Sequence, residues 1–356
     1  MANSADPFGA NRSFKISPTV FGFFSGGLAA CGAVTFTNPM EVVKTRLQLQ
    51  GEHSVRPAVA SSAATAQAAA PKIYRGTFST FGLIFRNEGL AGLQKGLGAA
   101  YVYQLLLNGT RLGLYTPIKH TLTQLFPGPD ARRPPGSAAA TNRSSINVCS
   151  GMLAGVAGAF MGSPIYLIKT RMQSYSTQAA VGHQHHYTGT WSALRHILRQ
   201  DGLRGLFRGV DAAMIRTGAG SAVQLSTYDL CKHTLLRIHL PASGGADGAA
   251  VVPLFRDDIY MHSVAALMTG LLVCLVMNPF DVVSTRMYNQ KTDARSGRGS
   301  LYRSPLDCLV KTFRAEGYRA FFKAIVPQYI RLGPHTILMF VFMEQIKGLG
   351  QRWEII

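Results

Sequence analysis

Three uncharged stretches set the pattern of the chain. No Asp, Glu, Lys or Arg occurs from Ile16 to Met40, from Ser144 to Ile168, or from Ile259 to Phe280. Each reaches the roughly 20 residues that a helix needs to cross the hydrocarbon layer. Three further segments, 97–119, 210–231 and 325–346, are also apolar, each with an arginine inside it: Arg111, Arg216 and Arg331. The pattern predicts six membrane-spanning helices. The loops between paired spans hold short amphipathic stretches, Phe78–Arg86, Trp191–Arg199 and Pro305–Arg314, predicted to lie along the membrane surface.

Each uncharged run ends in one motif. Pro39-Met40-Glu41-Val42-Val43-Lys44-Thr45-Arg46 returns as Pro164-Ile165-Tyr166-Leu167-Ile168-Lys169-Thr170-Arg171 and as Pro279-Phe280-Asp281-Val282-Val283-Ser284-Thr285-Arg286. Proline kinks or ends a helix, and the acid at Pro+2 shares a helical face with the base at Pro+5. A second motif travels with it: Glu88-Gly89 with Lys95-Gly96, Asp201-Gly202 with Arg208-Gly209, and Glu316-Gly317 with Lys323-Ala324, in steps of 113 and 115 residues. Thr116/Lys119, Asp229/Lys232 and Glu344/Lys347 keep the same step.

An internal repeat of this period decides the architecture. The chain reads as an all-α membrane protein: a polar tail over 1–15, then repeats over 16–125, 140–240 and 255–350. From Pro39 to Glu88 is 49 residues, whereas the two later counterparts span 37. The surplus falls in an Ala/Ser/Val-rich stretch at about 51–70, read as a disordered loop insertion. Small residues at Gly26/Ala30, Gly151/Gly155 and Ala266/Gly270 have the spacing that lets helix backbones approach closely in lipid.

Composition sharpens this picture. Only 15% of the 356 residues are charged, against roughly 25% in soluble proteins. The net charge of +19 points, with six spans, to anionic lipid and anionic solutes rather than nucleic acid. Five scattered cysteines without a C-x-x-C read as packing residues. The tract His183-Gln184-His185-His186 has no Cys or acid beside it in sequence, which argues against a metal site. No cofactor is called for, and no nucleophile–base pair suggests an enzyme. Gly76 and Gly189 at surface-helix starts, with Gly96 and Gly209 at the facing helix starts, suit a lipid phosphate; ordinary turn chemistry explains them equally well. Basic residues on both sides leave the orientation open.

These motifs resemble the signature of the mitochondrial carrier family over residues 16–348. The resemblance implies six tilted helices in three pseudo-threefold repeats around a central cavity, three matrix surface helices, a functional monomer in the inner mitochondrial membrane, and alternating access between two salt-bridge rings. The family's matrix-gate pairing gives Glu41–Lys169 and Asp281–Lys44, with Tyr166 facing Ser284 in a neutral contact. The opposite pairing would strand Glu41 and Lys44, and an unpaired buried charge costs several kcal/mol, so the residues favour the family's direction. In the cytoplasmic gate the pairs would be Asp229–Lys347 and Glu344–Lys119. Thr116 stands at an acid position there, and Lys232 lacks an ionic partner.

Arg216 and Arg331 each lie 13 residues before their gate acids Asp229 and Glu344, roughly 20 Å deeper. Arginine at that depth should face water or a partner, and no Asp or Glu is expected at its level. Two guanidinium forks converging on one cavity suit a small dianion. The family's contact points read Tyr103-Gln104, Arg216-Thr217 and Arg331, and together with the runs Tyr103–Tyr115 and Arg331–Thr336 they resemble the subgroup that carries oxaloacetate, sulfate, malonate and related dicarboxylates. Arg111 either attracts anions or braces its helix. His335, one turn past Arg331, either titrates with the cargo or packs as a neutral hydrogen-bonding side chain. Uncoupling-type proton leak and a non-transporting membrane scaffold are the alternative functions.

Overall fold

The computed structural model describes residues 18–52, 73–126, 138–177, 181–236, 239–241, 251–253, 259–291 and 299–352. The tail 1–15 and nearly all of the 51–70 insertion lie outside these residues. The helices are α1 (Pro18–Leu49), α2 (Thr77–Leu93), α3 (Leu97–Leu125), α4 (Ala138–Ser174), α5 (Thr190–Leu206), α6 (Val210–Leu236), α7 (Ile259–Asn289), α8 (Pro305–Glu316) and α9 (Ile325–Arg352). A two-stranded antiparallel ribbon, His239–Pro241 against Val251–Pro253, joins the second and third repeats. The hydrophobic pattern predicts no strand there.

The six long helices close into a ring. α1 packs on α3, α3 on α4, α4 on α6, α6 on α7, α7 on α9, and α9 back on α1. Small residues permit this: a side chain at Gly26 would strike Leu112, one at Gly155 would meet Thr217 and Ser221, and one at Gly270 would meet Leu332 and Tyr329. In every repeat the contact is between its first and second long helices.

α1, α4 and α7 contain segments long and apolar enough to cross a membrane, Val20–Leu49, Ser145–Ser174 and Leu267–Asn289. α3, α6 and α9 have 29, 27 and 28 residues, enough length at about 1.5 Å per residue. Interior arginines and other polar side chains lower their hydropathy, and among the described residues they fall short of the same apolar standard.

Pro39, Pro164 and Pro279 sit inside α1, α4 and α7, and each helix continues ten residues beyond its proline. These last turns meet one another across the ring axis. Thr45 Oγ1 donates to Gln173 Oε1 at 3.2 Å, Ser174 Oγ to Asn289 Oδ1 at 2.8 Å, and Thr285 Oγ1 to Gln48 Oε1 at 2.8 Å. Side-chain bonds of this kind tie every pair of helices at the proline end.

The surface stretches form α2, α5 and α8. The first two are longer than the amphipathic pattern suggested, because they run through kinks at Gly89 and Gly202, both at φ 65°. Gly317, at φ 75°, makes the same turn after α8. A left-handed backbone is open to glycine at little cost, which explains the glycine that follows the acid in every copy. Their inner faces bury Ile84, Ile197 and Cys308, while Phe78, Trp191 and Leu306 are about three-quarters exposed, as an apolar face laid on lipid would be.

Candidate functional site

Past each proline, the Pro+2 and Pro+5 side chains point into the closed end of the ring. Lys169 Nζ lies 2.6 Å from Glu41 Oε1, and Lys44 Nζ lies 2.8 Å from Asp281 Oδ2. The third position differs from the neutral Tyr166–Ser284 contact expected from the motif. Ser284 donates instead to the Ala212 carbonyl at 3.2 Å. Tyr166 packs between Tyr103 and Tyr288, tilted against the first and edge-on to the second, with ring centroids 5.0 and 5.1 Å away. The serine hydroxyl is satisfied by a backbone carbonyl and the phenol ring by two aromatic neighbours.

Arg216 lies over this aromatic layer. Its guanidinium carbon is 5.5 Å from the Tyr166 ring centroid, Nη2 donates to the Tyr103 hydroxyl at 3.4 Å, and Nη1 lies 3.2 Å from Asp281 Oδ1. The absence of an acid at its depth was therefore a wrong expectation. Counted from the proline end, Arg216 stands six residues into α6 and Asp281 eight residues before the end of α7, roughly 9 and 12 Å along their axes. The two are nearly level. Asp281 thus serves two cations, one per carboxylate oxygen.

Arg331 makes no ion pair among the described residues, and its Nε is buried without a hydrogen-bond partner. It acts electrostatically on Lys44, Tyr103 and Asp281, as Arg216 does, so the two guanidinium groups converge on one region. The Thr217 hydroxyl is likewise buried and unpartnered, its methyl carbon being directed towards Gly155. Gln104 is buried beside Tyr103, and its Oε1 accepts from Asn108 Nδ2 at 2.9 Å. His335 Nδ1 lies 3.2 Å from the Thr37 hydroxyl, the hydrogen-bonded arrangement of its two readings. Arg111 forms no ion pair among the described residues.

The inventory of charge is asymmetric. Arg216, Arg331, Lys44 and Lys169 face Glu41 and Asp281. Four cations against two carboxylates leave an excess of two positive charges inside the ring.

The far end is different. Lys119 is partly exposed, Glu344 and Lys347 are exposed, and none of the three forms an ion pair among the described residues. Glu344–Lys119 is therefore not formed here; the side chains of Asp229 and Lys232 lie outside those described. The ring is tied at its proline end, and at the other end no ion pair forms among the described side chains.

The four glycines expected at lipid phosphates occupy helix starts. Gly76 and Gly189 N-cap α2 and α5 in extended backbone, while Gly96 and Gly209, at φ 72° and 75°, immediately precede α3 and α6. Among the described residues no group of three or more His, Cys, Asp or Glu could hold a metal ion.

The comparisons with known proteins agree with this geometry. The family described as mitochondrial carrier protein matches residues 17–125, 141–239 and 256–352, one segment per repeat. The chain is 46% identical to the mitochondrial oxaloacetate transport protein of Saccharomyces cerevisiae, over 92% of this chain and 89% of that one. It is 43% identical to the protein of that name from Schizosaccharomyces pombe, over 96% and 93%. It is also 41% identical to mitochondrial citrate transporter E of Aspergillus niger, over 95% and 96%. With all three repeats matched and relatives aligned along nearly their whole length, the chain belongs to the mitochondrial carrier family, the transporters of the mitochondrial inner membrane.

Proposed function

We propose that the protein carries small dicarboxylates and divalent inorganic anions of the oxaloacetate, malonate and sulfate type, with all six long helices crossing the membrane. The observation that carries this reading is the excess of two positive charges around Arg216 and Arg331, which a dianion neutralises. Bidentate contact between guanidinium and carboxylate supplies geometry as well as charge. Tyr103, Gln104 and Thr217 add uncharged hydrogen-bonding groups. The relatives named for oxaloacetate support the substrate class, and the one named for citrate marks its neighbour.

The gate arithmetic suggests a route. An entering anion is met by Arg331, whose Nε is buried without a hydrogen-bond partner. A second carboxylate then competes with Asp281 for Arg216. Once Arg216 turns to the cargo, Asp281 keeps Lys44 alone, so cargo binding loosens the proline end, taken here as the matrix gate. A ligand shifts such an equilibrium only through its differential affinity for the two states, and Arg216 provides that difference. Lys119, Asp229, Lys232, Glu344 and Lys347 would close the opposite gate in turn. Cardiolipin at Gly76, Gly189, Gly96 and Gly209 would hold the surface helices to the membrane.

The test is exchange of labelled malonate, oxaloacetate and sulfate in liposomes carrying the purified protein, with fatty-acid-dependent proton flux read in parallel. Saturable anion exchange is the expected outcome. Proton flux without anion exchange would move the protein to the uncoupling class, and neither flux would leave the scaffold reading.

A further inference from the structure

The second repeat breaks a clamp that the other two keep. In the first, Arg46 Nη1 and Nη2 lie 2.6 and 2.9 Å from the two oxygens of Glu88, and Lys95 Nζ closes on the same carboxylate at 2.5 Å. Burial pushes the Glu88 pKa up, but bonds from Arg46, Lys95 and Ser176 outweigh it and hold this carboxyl at about 2. In the third, Arg286 Nη1 is 2.6 Å from Glu316, which also pairs with Lys323. The equivalent arginine of the second repeat is Arg171, and the equivalent acid is Asp201, one methylene shorter.

Arg171 is only 2% exposed and forms no ion pair among the described residues. Its Nε donates to the Tyr288 carbonyl at 3.2 Å and Nη1 to the Tyr187 hydroxyl at 3.2 Å, while Nη2 has no hydrogen-bond partner. Beside it opens a cavity of about 480 Å³, lined among others by Arg171, His185, His186, His196, Lys291 and Asp201. The His185 ring lies 2.9 Å from the Asn289 carbonyl through Nε2, so that nitrogen carries the proton. Burial and the neighbouring Arg171 push its pKa down to about 3; His185 therefore stays neutral and adds no charge. Arg171 and Lys291 supply the cations and Asp201 offsets one of them.

We propose that this cavity, at the proline end and separate from the central site, binds a small oxyanion of the phosphate or sulfate type. The Arg171 guanidinium, the Lys291 ammonium and the His186 and His196 imidazoles around a polar hollow are donors for tetrahedral oxygens, while His185, its one N–H given to Asn289, is not. The ligand takes the place that a glutamate side chain fills in the first and third repeats. It would brace the loop after α4 against α5 and α7, where only this repeat lacks an internal carboxylate on its arginine.

The probe is inorganic phosphate, titrated against the thermal unfolding of the purified full-length protein with chloride at matched ionic strength as reference. Arg331→Ala serves as background, so that occupancy of the central site does not contribute. A saturable rise in Tm is expected, with its midpoint shifted at least tenfold upward by Arg171→Gln. Should Arg171→Gln fail to fold, the rim variant Lys291→Gln/His186→Gln, which leaves the buried guanidinium in place, must give the same shift. A second arm uses phosphatidylcholine vesicles with and without phosphatidate. A rise seen only with phosphatidate, and abolished in the same variants, assigns the oxyanion to a lipid headgroup rather than the free ion. No saturable rise in either arm, or a midpoint unchanged by the variants, overturns the proposal.

Discussion

Arg216 on α6 and Asp281 on α7 lie 3.2 Å apart, Nη1 to Oδ1, while the other oxygen of Asp281 accepts from Lys44 at 2.8 Å. This contact stands in for the ionic bridge that the second and third repeats cannot make, since Tyr166 and Ser284 occupy its positions. The same arginine is the one offered to substrate, so the proline-end closure and the cargo draw on one guanidinium.

Asp281 should therefore be the costliest gate acid to remove. Asp281→Asn leaves Lys44 and Arg216 both buried without their carboxylate, whereas Glu41→Gln strands Lys169 alone. Breaking one buried pair costs about 3–5 kcal/mol. The expected order in detergent thermal unfolding is wild type, then Glu41→Gln, then Asp281→Asn as the least stable. Equal destabilisation by the two variants would show that Arg216 does not share in the closure.

Restoring the missing acid should harm transport. Tyr166 lies 5.5 Å from the Arg216 guanidinium carbon and 5.7 Å from Lys169 Nζ. An aspartate there competes with the substrate for both cations. Tyr166→Asp is expected to raise the KM for malonate about tenfold, equivalent to about 1.4 kcal/mol. Tyr166→Phe keeps the packed ring and should stay within about twofold of wild type on the same scale. An unchanged KM in Tyr166→Asp would remove Arg216 from the substrate site.

The repeats were legible from spacing, the ring from the family resemblance they carry, and the direction of the two ion pairs at the proline end from charge. Glu41 and Lys44 must each find an opposite charge, and only one direction around the ring provides it. What escaped was depth. The spacing from Arg216 to Asp229 fixes its depth only relative to its own helix, and which residue of α7 shares that level depends on how the two helices are offset. The Tyr103–Tyr166–Tyr288 cluster escaped for another reason: its members come from three helices and carry no common spacing. The missing ion pair of Arg171 was also invisible, because in sequence Asp201 keeps the register of Glu88 and Glu316.

Glu52, just beyond α1, offers a pH test. Its Oε2 accepts from Asn289 Nδ2 at 3.4 Å and its Oε1 has no partner. Burial pushes its pKa up to about 7, against the opposing pull of Arg286. An acid whose folded pKa is raised favours the native state below the unfolded value of about 4.3, and that contribution disappears as pH rises through about 7. Glu52→Gln should match wild type near pH 4 and be more stable at pH 8, by a few kcal/mol at most. A stability gap that is the same at both values would contradict the burial of an uncharged carboxyl.

Glycine substitutions separate backbone need from mere composition. Gly202→Ala forces a side chain onto φ 65° and should cost about 1 kcal/mol or more. Gly82 lies within α2, with nothing within 4 Å of an added Cβ, so Gly82→Ala should be neutral or slightly stabilising. Thermal unfolding of the two variants side by side provides the check.

The central claim is that Arg331 and Arg216 together hold a doubly charged anion and that only the second also ties the gate. The most direct measurement is labelled malonate exchange in liposomes for Arg331→Ala and Arg216→Ala, paired with the substrate-free Tm of each protein. Both variants should lose exchange, with Tm near the wild-type value for Arg331→Ala and clearly lower for Arg216→Ala. Malonate exchange at the wild-type rate in either variant would contradict the account.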